Sequence, residues 1–196
     1  DVYKRQLSET RITDAKNQAR ALQSTSGLET SSKGNRFSQT YKLMRARVEK
    51  RFSDSPLAYV ENSEKAIQVN PSDVRNRYAH ALSLSLIGKH DEAVTALDGL
   101  EDSIEDESVF YFTKAELLLE AEEPAKSLEV LELAMQIHPD HFPISMIYAR
   151  TLNSLSRFEE AERVLADLTR SRPNDTIVWF ELAETAGLAG NISGVH

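Results

Sequence analysis

The chain has 196 residues, 40% hydrophobic and 28% charged, enough to bury a core in one ordinary domain or a short repeat array. Lys and Arg number 23 against 31 Asp and Glu, a net charge of −8 with no basic run, which makes the chain a poor candidate for nucleic acid, where cationic side chains must displace counterions from phosphates. No stretch approaches the ~20 consecutive apolar residues of a membrane span, the absence of cysteine excludes disulfides and thiolate chemistry, and 7 glycines with 6 prolines favour long helices over strands and turns.

The chain opens with Asp1-Val2-Tyr3-Lys4-Arg5-Gln6, which reads as the in-frame translation of a transposase sequencing adapter. Residues 1–6 are therefore expected to be an assembly scar, with an ordinary chain start as the alternative. On the scar reading the chain is a fragment of a longer protein. Residues 7–22 carry Ile12, Ala15, Ala19 and Leu22 at helical spacing, which predicts an amphipathic linker helix. Residues 23–36 are rich in Ser, Thr and Gly and read as a flexible loop. Helices are then expected at about 37–52, 56–69, 73–87, 90–101, 107–121, 124–137, 142–155, 158–171 and 175–189. Paired in order they give four hairpins. The helix at 175–189 is left as half of a fifth, so the array over 37–196 reads as truncated at its C-terminus.

A fixed period runs through these helices. Ala81, Ala115, Ala149 and Ala183 stand 34 apart, as do Leu84, Leu118 and Leu152, then Ala93, Ser127 and Ala161, then Leu97, Leu131 and Leu165. Pro139 and Pro173 keep the same step, and Pro71 lies two periods before Pro139. This period, with a small residue in each helix and Pro in the turn, resembles the tetratricopeptide repeat. The expected fold is all-α: a solenoid of about four helical hairpins, an N-terminal linker helix and an unpaired C-terminal helix. Each column has a physical reading. The Ala81 column lets two helices cross closely, and the Leu97 column fills the space between them. Pro stops one helix and Asp or Asn caps the next in Asn70-Pro71-Ser72-Asp73, His138-Pro139-Asp140 and Arg172-Pro173-Asn174-Asp175. Gly88 reads as a left-handed C-cap. First helices are expected on the concave wall of the stack. His80 and Lys114 stand where the repeat usually has Leu, which leaves the rotation of those two helices open.

Chemistry-bearing motifs are scarce. There is no HExxH, no Gly-rich phosphate loop and no nucleophile elbow. His138 and His141 flank a Pro turn with one acid between them, short of a metal ligand set. His138-Pro139-Asp140 spells the tripeptide of J-domain co-chaperones but falls in phase with the repeat turn, so that match is set aside. Glu101, Asp102, Glu105, Asp106 and Glu107 read as a solvated acidic turn. The concave positions Tyr78, Leu82, Phe112, Glu116, Met146, Arg150, Phe180 and Glu184 hold one basic residue, which excludes a clamp for C-terminal carboxylates. Tyr78, Phe112, Met146 and Phe180 again stand 34 apart and are the candidate partner-binding residues. They form either a hydrophobic strip in the groove or, if the first helices are rotated, part of the core.

The segment LSETRITDAKNQARAL at 7–22 resembles the helix that leaves the catalytic domain in the β-barrel assembly-enhancing protease family of bacterial zinc metallopeptidases. YKLMRARVEKRF at 41–52 looks like that family's next helix, and residues 76–100 and 179–196 resemble its repeats and final portion. The resemblance covers essentially all of 7–196. It implies the non-catalytic repeat half of a periplasmic zinc metalloendopeptidase in a Gram-negative bacterium. The partners implied are the outer-membrane barrel assembly machinery or unfolded barrel substrates, without nucleic acid and without insertion into the membrane. No catalytic or metal residue carries over, because the HExxH domain would lie upstream of Leu7; no cofactor is expected in this chain, and zinc is expected in that domain. A free-standing repeat adaptor or assembly lipoprotein is the alternative.

Overall fold

The structure is a computed structural model that describes residues 32–53 and 55–193. The chain divides into two units, Asp1–Phe37 and Ser38–His196, and the repeats lie in the second. The scar expected at 1–6, the linker helix expected at 7–22 and the expected loop up to residue 31 fall outside the described residues.

Nine α-helices follow one another among the described residues, with no strand. They are α1 (Ser32–Arg51), α2 (Pro56–Val69), α3 (Val74–Leu86), α4 (His90–Asp98), α5 (Glu107–Glu120), α6 (Pro124–Ile137), α7 (Phe142–Ser154), α8 (Phe158–Ser171) and α9 (Thr176–Ser193). Three boundaries differ from expectation by more than one residue; the helix expected to end at 189 runs on to Ser193. Residues 32–36, read as loop, already belong to α1, because extending a nucleated helix gains a backbone bond per residue even through polar sequence. The helix expected at 90–101 stops at Asp98 and continues as a short 3₁₀ turn, Glu101–Ser103. Gly99 breaks it, and its carbonyl accepts a hydrogen bond from Arg77 Nη2 at 2.8 Å.

Starts and stops follow local chemistry. Ser55 and Asp73 cap α2 and α3 by accepting from the backbone N–H of Ala58 (3.4 Å) and Asn76 (3.0 Å). Pro56, Pro124 and Pro143 sit in first turns, where no backbone donor is needed. Gly88 ends α3 at φ +77°, its N–H donating to Ser85 O and the Lys89 N–H to Leu84 O, both at 3.0 Å. The same pair of bonds closes α5 and α7 around Glu122 and Ser156, both at φ 58°. These three left-handed residues occupy one column of the repeat, which only in the first case is filled by glycine.

Three hairpins, α3/α4, α5/α6 and α7/α8, obey the period. Ala81, Ala115 and Ala149 are at most 1% exposed, opposite the equally buried Ala93, Ser127 and Ala161. Leu97, Leu131 and Leu165 plug the space beside each crossing. Each second helix also packs on the next first helix, so the core is continuous through the stack. Ala183 in α9 is exposed, since no second helix follows it among the described residues. His80 and Lys114 do not rotate their helices, because Ala81 and Ala115 keep their places at the crossings. Lys114 instead extends to Asp98, Nζ to Oδ1 2.8 Å.

The first hairpin breaks the pattern. Its four signature columns read Arg47, Lys50, Tyr59 and Ser63 where the others have small residues and leucines. A close crossing of α1 on α2 is sterically excluded by Arg47 and Tyr59. Tyr59 is buried between them and donates its hydroxyl to Ala46 O at 3.0 Å. α1 lies along α3 and α5 instead. Gln39 bridges the turn before α5, donating to Ser103 O (3.0 Å) and accepting from the Glu105 N–H (2.8 Å). Lys50 meets Glu120 at 3.3 Å near the other end. A cleft of about 490 Å³ stays open where α1, α2 and α3 meet.

Candidate protein-docking surface

The first helices α3, α5, α7 and α9 each contribute one residue to the Tyr78 column, and the structure treats the four differently. Tyr78 is fully buried. Its hydroxyl lies 2.8 Å from Thr113 Oγ1, and Arg47 Nη1 reaches it at 3.4 Å. Phe112 is half-buried beneath the same guanidinium, whose carbon stands 4.5 Å from the ring centroid. Met146 belongs to the core with Ala149, Leu165 and Val178. Phe180 stands 67% exposed. The column is thus covered by α1 at one end, core in the middle and open on α9.

Arg47 is the residue that sequence reasoning missed. It donates to Thr113 Oγ1 at 3.2 Å and to Glu116 Oε2 at 2.6 Å. Burial works against its charge, but Tyr78 and Glu116 more than offset this, so its pKa is raised above the usual guanidinium value. Burial also raises the Tyr78 phenol, with Arg47 pulling the other way. One signal was available in the sequence: an arginine in a column that otherwise holds alanine.

A second polar link runs beside the first. Glu120 receives Lys50 and the Ser85 hydroxyl, so α1, α3 and α5 share one carboxylate. The sequence showed only Arg150 as a cation on this surface. The structure adds Arg47 and Lys50, each already paired with a glutamate. Arg150 itself binds Glu181, with Nε to Oε1 at 2.8 Å, and Asn153 donates to Thr185 Oγ1 at 2.7 Å. These two bonds tie α7 to α9 while Ile177 and Phe180 remain outward. The surface is therefore apolar patches between neutralised ion pairs, suited to burying an apolar segment rather than gripping a charged one.

His138 and His141 lie with ring centroids 6.2 Å apart. Burial holds His141 below the usual imidazole range, Asp106 opposes the shift, and His138 adds to it. Among the described residues no three His, Cys, Asp or Glu side chains converge on a point where a metal could sit. None of the described helices is long and apolar enough to cross a membrane.

Comparison with known proteins supports the architecture. The tetratricopeptide repeat family model matches residues 118–183. The fold is similar to that of a tetratricopeptide repeat protein from Parabacteroides merdae ATCC 43184, with a TM-score of 0.62 at 10% identity over 94% of this chain and 69% of that one. MamA from Desulfovibrio magneticus RS-1, residues 41 to the end, gives 0.53 at 13% identity over 80% and 94%. Naa15/Naa10 bound to HypK-THB gives 0.52 at 20% identity over 72% of this chain and 22% of that one. No curated protein sequence matches. At these identities the likeness is one of fold: a tetratricopeptide solenoid, an architecture that generally binds proteins.

Proposed function

We propose that this tetratricopeptide region is a protein-docking scaffold whose first-helix surface receives an apolar, helical or extended segment of a partner. One observation carries the reading. A helix is already seated on that surface: α1 lies over Tyr78 and Phe112, anchored by Arg47 and Lys50. The same surface continues to α9, where Phe180 and Ile177 are uncovered. Partner binding is assigned to that open end, with Phe180 as its anchor. Tyr78, Phe112 and Met146 act as its support. Phe180→Ser should leave the melting temperature unchanged and weaken capture of an unfolded outer-membrane barrel protein by at least about tenfold, roughly the loss of one buried aromatic anchor. Wild-type capture by that variant would remove α9 from the docking surface.

The finer reading rests on the resemblance of residues 7–22 and of the repeats. On that basis the scaffold serves a periplasmic zinc metalloprotease of a Gram-negative bacterium, docking the barrel-assembly machinery or unfolded barrel substrates, with the catalytic domain elsewhere in the protein. No catalytic or zinc-binding role is assigned to any residue of this chain. The coding sequence immediately upstream of Leu7 tests this. An HExxH helix within a few hundred codons supports it, and an unrelated domain or a start codon there overturns the protease assignment while leaving the scaffold standing.

A further inference from the structure

The cleft between α1, α2 and α3 marks a second site, at the opposite end of the array from Phe180. Its origin is legible in the repeat. Leu97, Leu131 and Leu165 plug the three regular hairpins. The same column in the first hairpin holds Ser63, whose hydroxyl turns away to Val60 O and Ser83 Oγ, both at 2.8 Å. No side chain replaces the missing knob, and Tyr59 holds α1 off α2, so about 490 Å³ is left open to solvent. That volume falls within the range of ~300–1,000 Å³ common for ligand sites.

The lining says what would fill it. Tyr59 and Ser63 form the floor, and both have their hydroxyls satisfied, so the floor offers little to a polar ligand. Val48 and Phe52 form one wall and are 56% and 75% exposed, a poor arrangement for large apolar side chains unless something covers them. The mouth carries Arg45 and Arg75, which share the single carboxylate of Glu49. Two guanidinium groups on one glutamate leave an unbalanced positive charge at the rim among the described residues.

We propose that this cleft takes a segment of a partner protein bearing one large apolar side chain, leucine or phenylalanine, next to an aspartate or glutamate. The apolar group supplies the knob that the first hairpin lacks and covers Val48 and Phe52. The carboxylate completes the Arg45–Glu49–Arg75 cluster. The site does not rest on docking along α9, and its test is independent of Phe180.

The probe is a short fluorescein-labelled Gly/Ser peptide carrying one central Phe-Glu pair, titrated against the whole chain by fluorescence anisotropy. Saturable binding is expected, with a Kd of about 1 mM or tighter. Changing the peptide's Phe to Ser, or its Glu to Lys, should weaken it by at least about tenfold. Ser63→Leu refills the column and should abolish binding without lowering the melting temperature. Arg45→Glu lies on an exposed side chain, leaves the packing untouched, and should weaken binding while Phe180→Ser does not. Failure to saturate, or binding that survives both Ser63→Leu and Arg45→Glu, overturns the proposal. If Ser63→Leu fails to fold, unchanged binding by Arg45→Glu alone overturns it.

Discussion

Gly88, Glu122 and Ser156 hold the same left-handed backbone at the end of a first helix, but only glycine holds it without a Cβ penalty. Glu122→Gly and Ser156→Gly should therefore each stabilise the fold by about 1 kcal/mol, read as a rise in the denaturant midpoint at constant slope. The C-cap at Gly88 was legible in the sequence because the residue type announces it. The caps at Glu122 and Ser156 were not, because nothing about glutamate or serine points to positive φ, and only the period joins them to Gly88. The alanine column was legible on the same principle and is borne out in its burial. Ala149 is 1% exposed at a crossing, whereas Ala183 stands in the same column on the open helix α9. Ala149→Leu should cost ~1–3 kcal/mol by overpacking. Ala183→Leu should be neutral within ~0.5 kcal/mol. Equal effects of the two substitutions on the urea midpoint would show that the column is not what buries Ala149.

At the scale of elements, α1 is where sequence reasoning fell short. Local periodicity finds the helix near 37–52 but pairs it with 56–69 by order alone. Where it goes is decided by residues far along the chain: Glu116 for Arg47 and Glu120 for Lys50, 69 and 70 residues away. No local pattern encodes such a partner. The identity of Tyr59 and Arg47 in the two small columns does encode that the ordinary hairpin cannot close. The same displacement explains why the Tyr78 column could not be assigned as groove or core from spacing. It is covered, buried and exposed in turn, depending on what lies over each helix. Arg47→Ala should leave Glu116 and Tyr78 without their charged partner, at a cost of ~1–3 kcal/mol. The loss should be local, with faster amide hydrogen exchange across α1 and unchanged protection in α6 to α8. Uniformly faster exchange would mean that α1 is integral to the array rather than seated upon it.

For the whole molecule the period of 34 was enough to give the all-helical class, the hairpin order and the alternation of first and second helices, because each repeat solves the same packing problem with its neighbour. The contacts of α1 are of another kind. Within the regular array the side-chain hydrogen bonds between helices join neighbours or successive first helices, no more than 35 residues apart, whereas the bonds from Gln39, Arg47 and Lys50 reach 64 to 70 residues ahead. Closing so long a loop costs entropy that no short-range contact has to meet. Helices α3 to α8 can condense one upon another from local encounters, but α1 has no complete surface to settle on until both α3 and α5 are in place. Substitutions at Leu43 and Arg47 should accordingly speed unfolding and leave the folding rate almost unchanged, with φ-values near zero, while Leu131→Ala should slow folding. The first of the described helices is thus the last to arrive, and a chain emerging from the ribosome must hold α1 unplaced until α5, two repeats later, has been made.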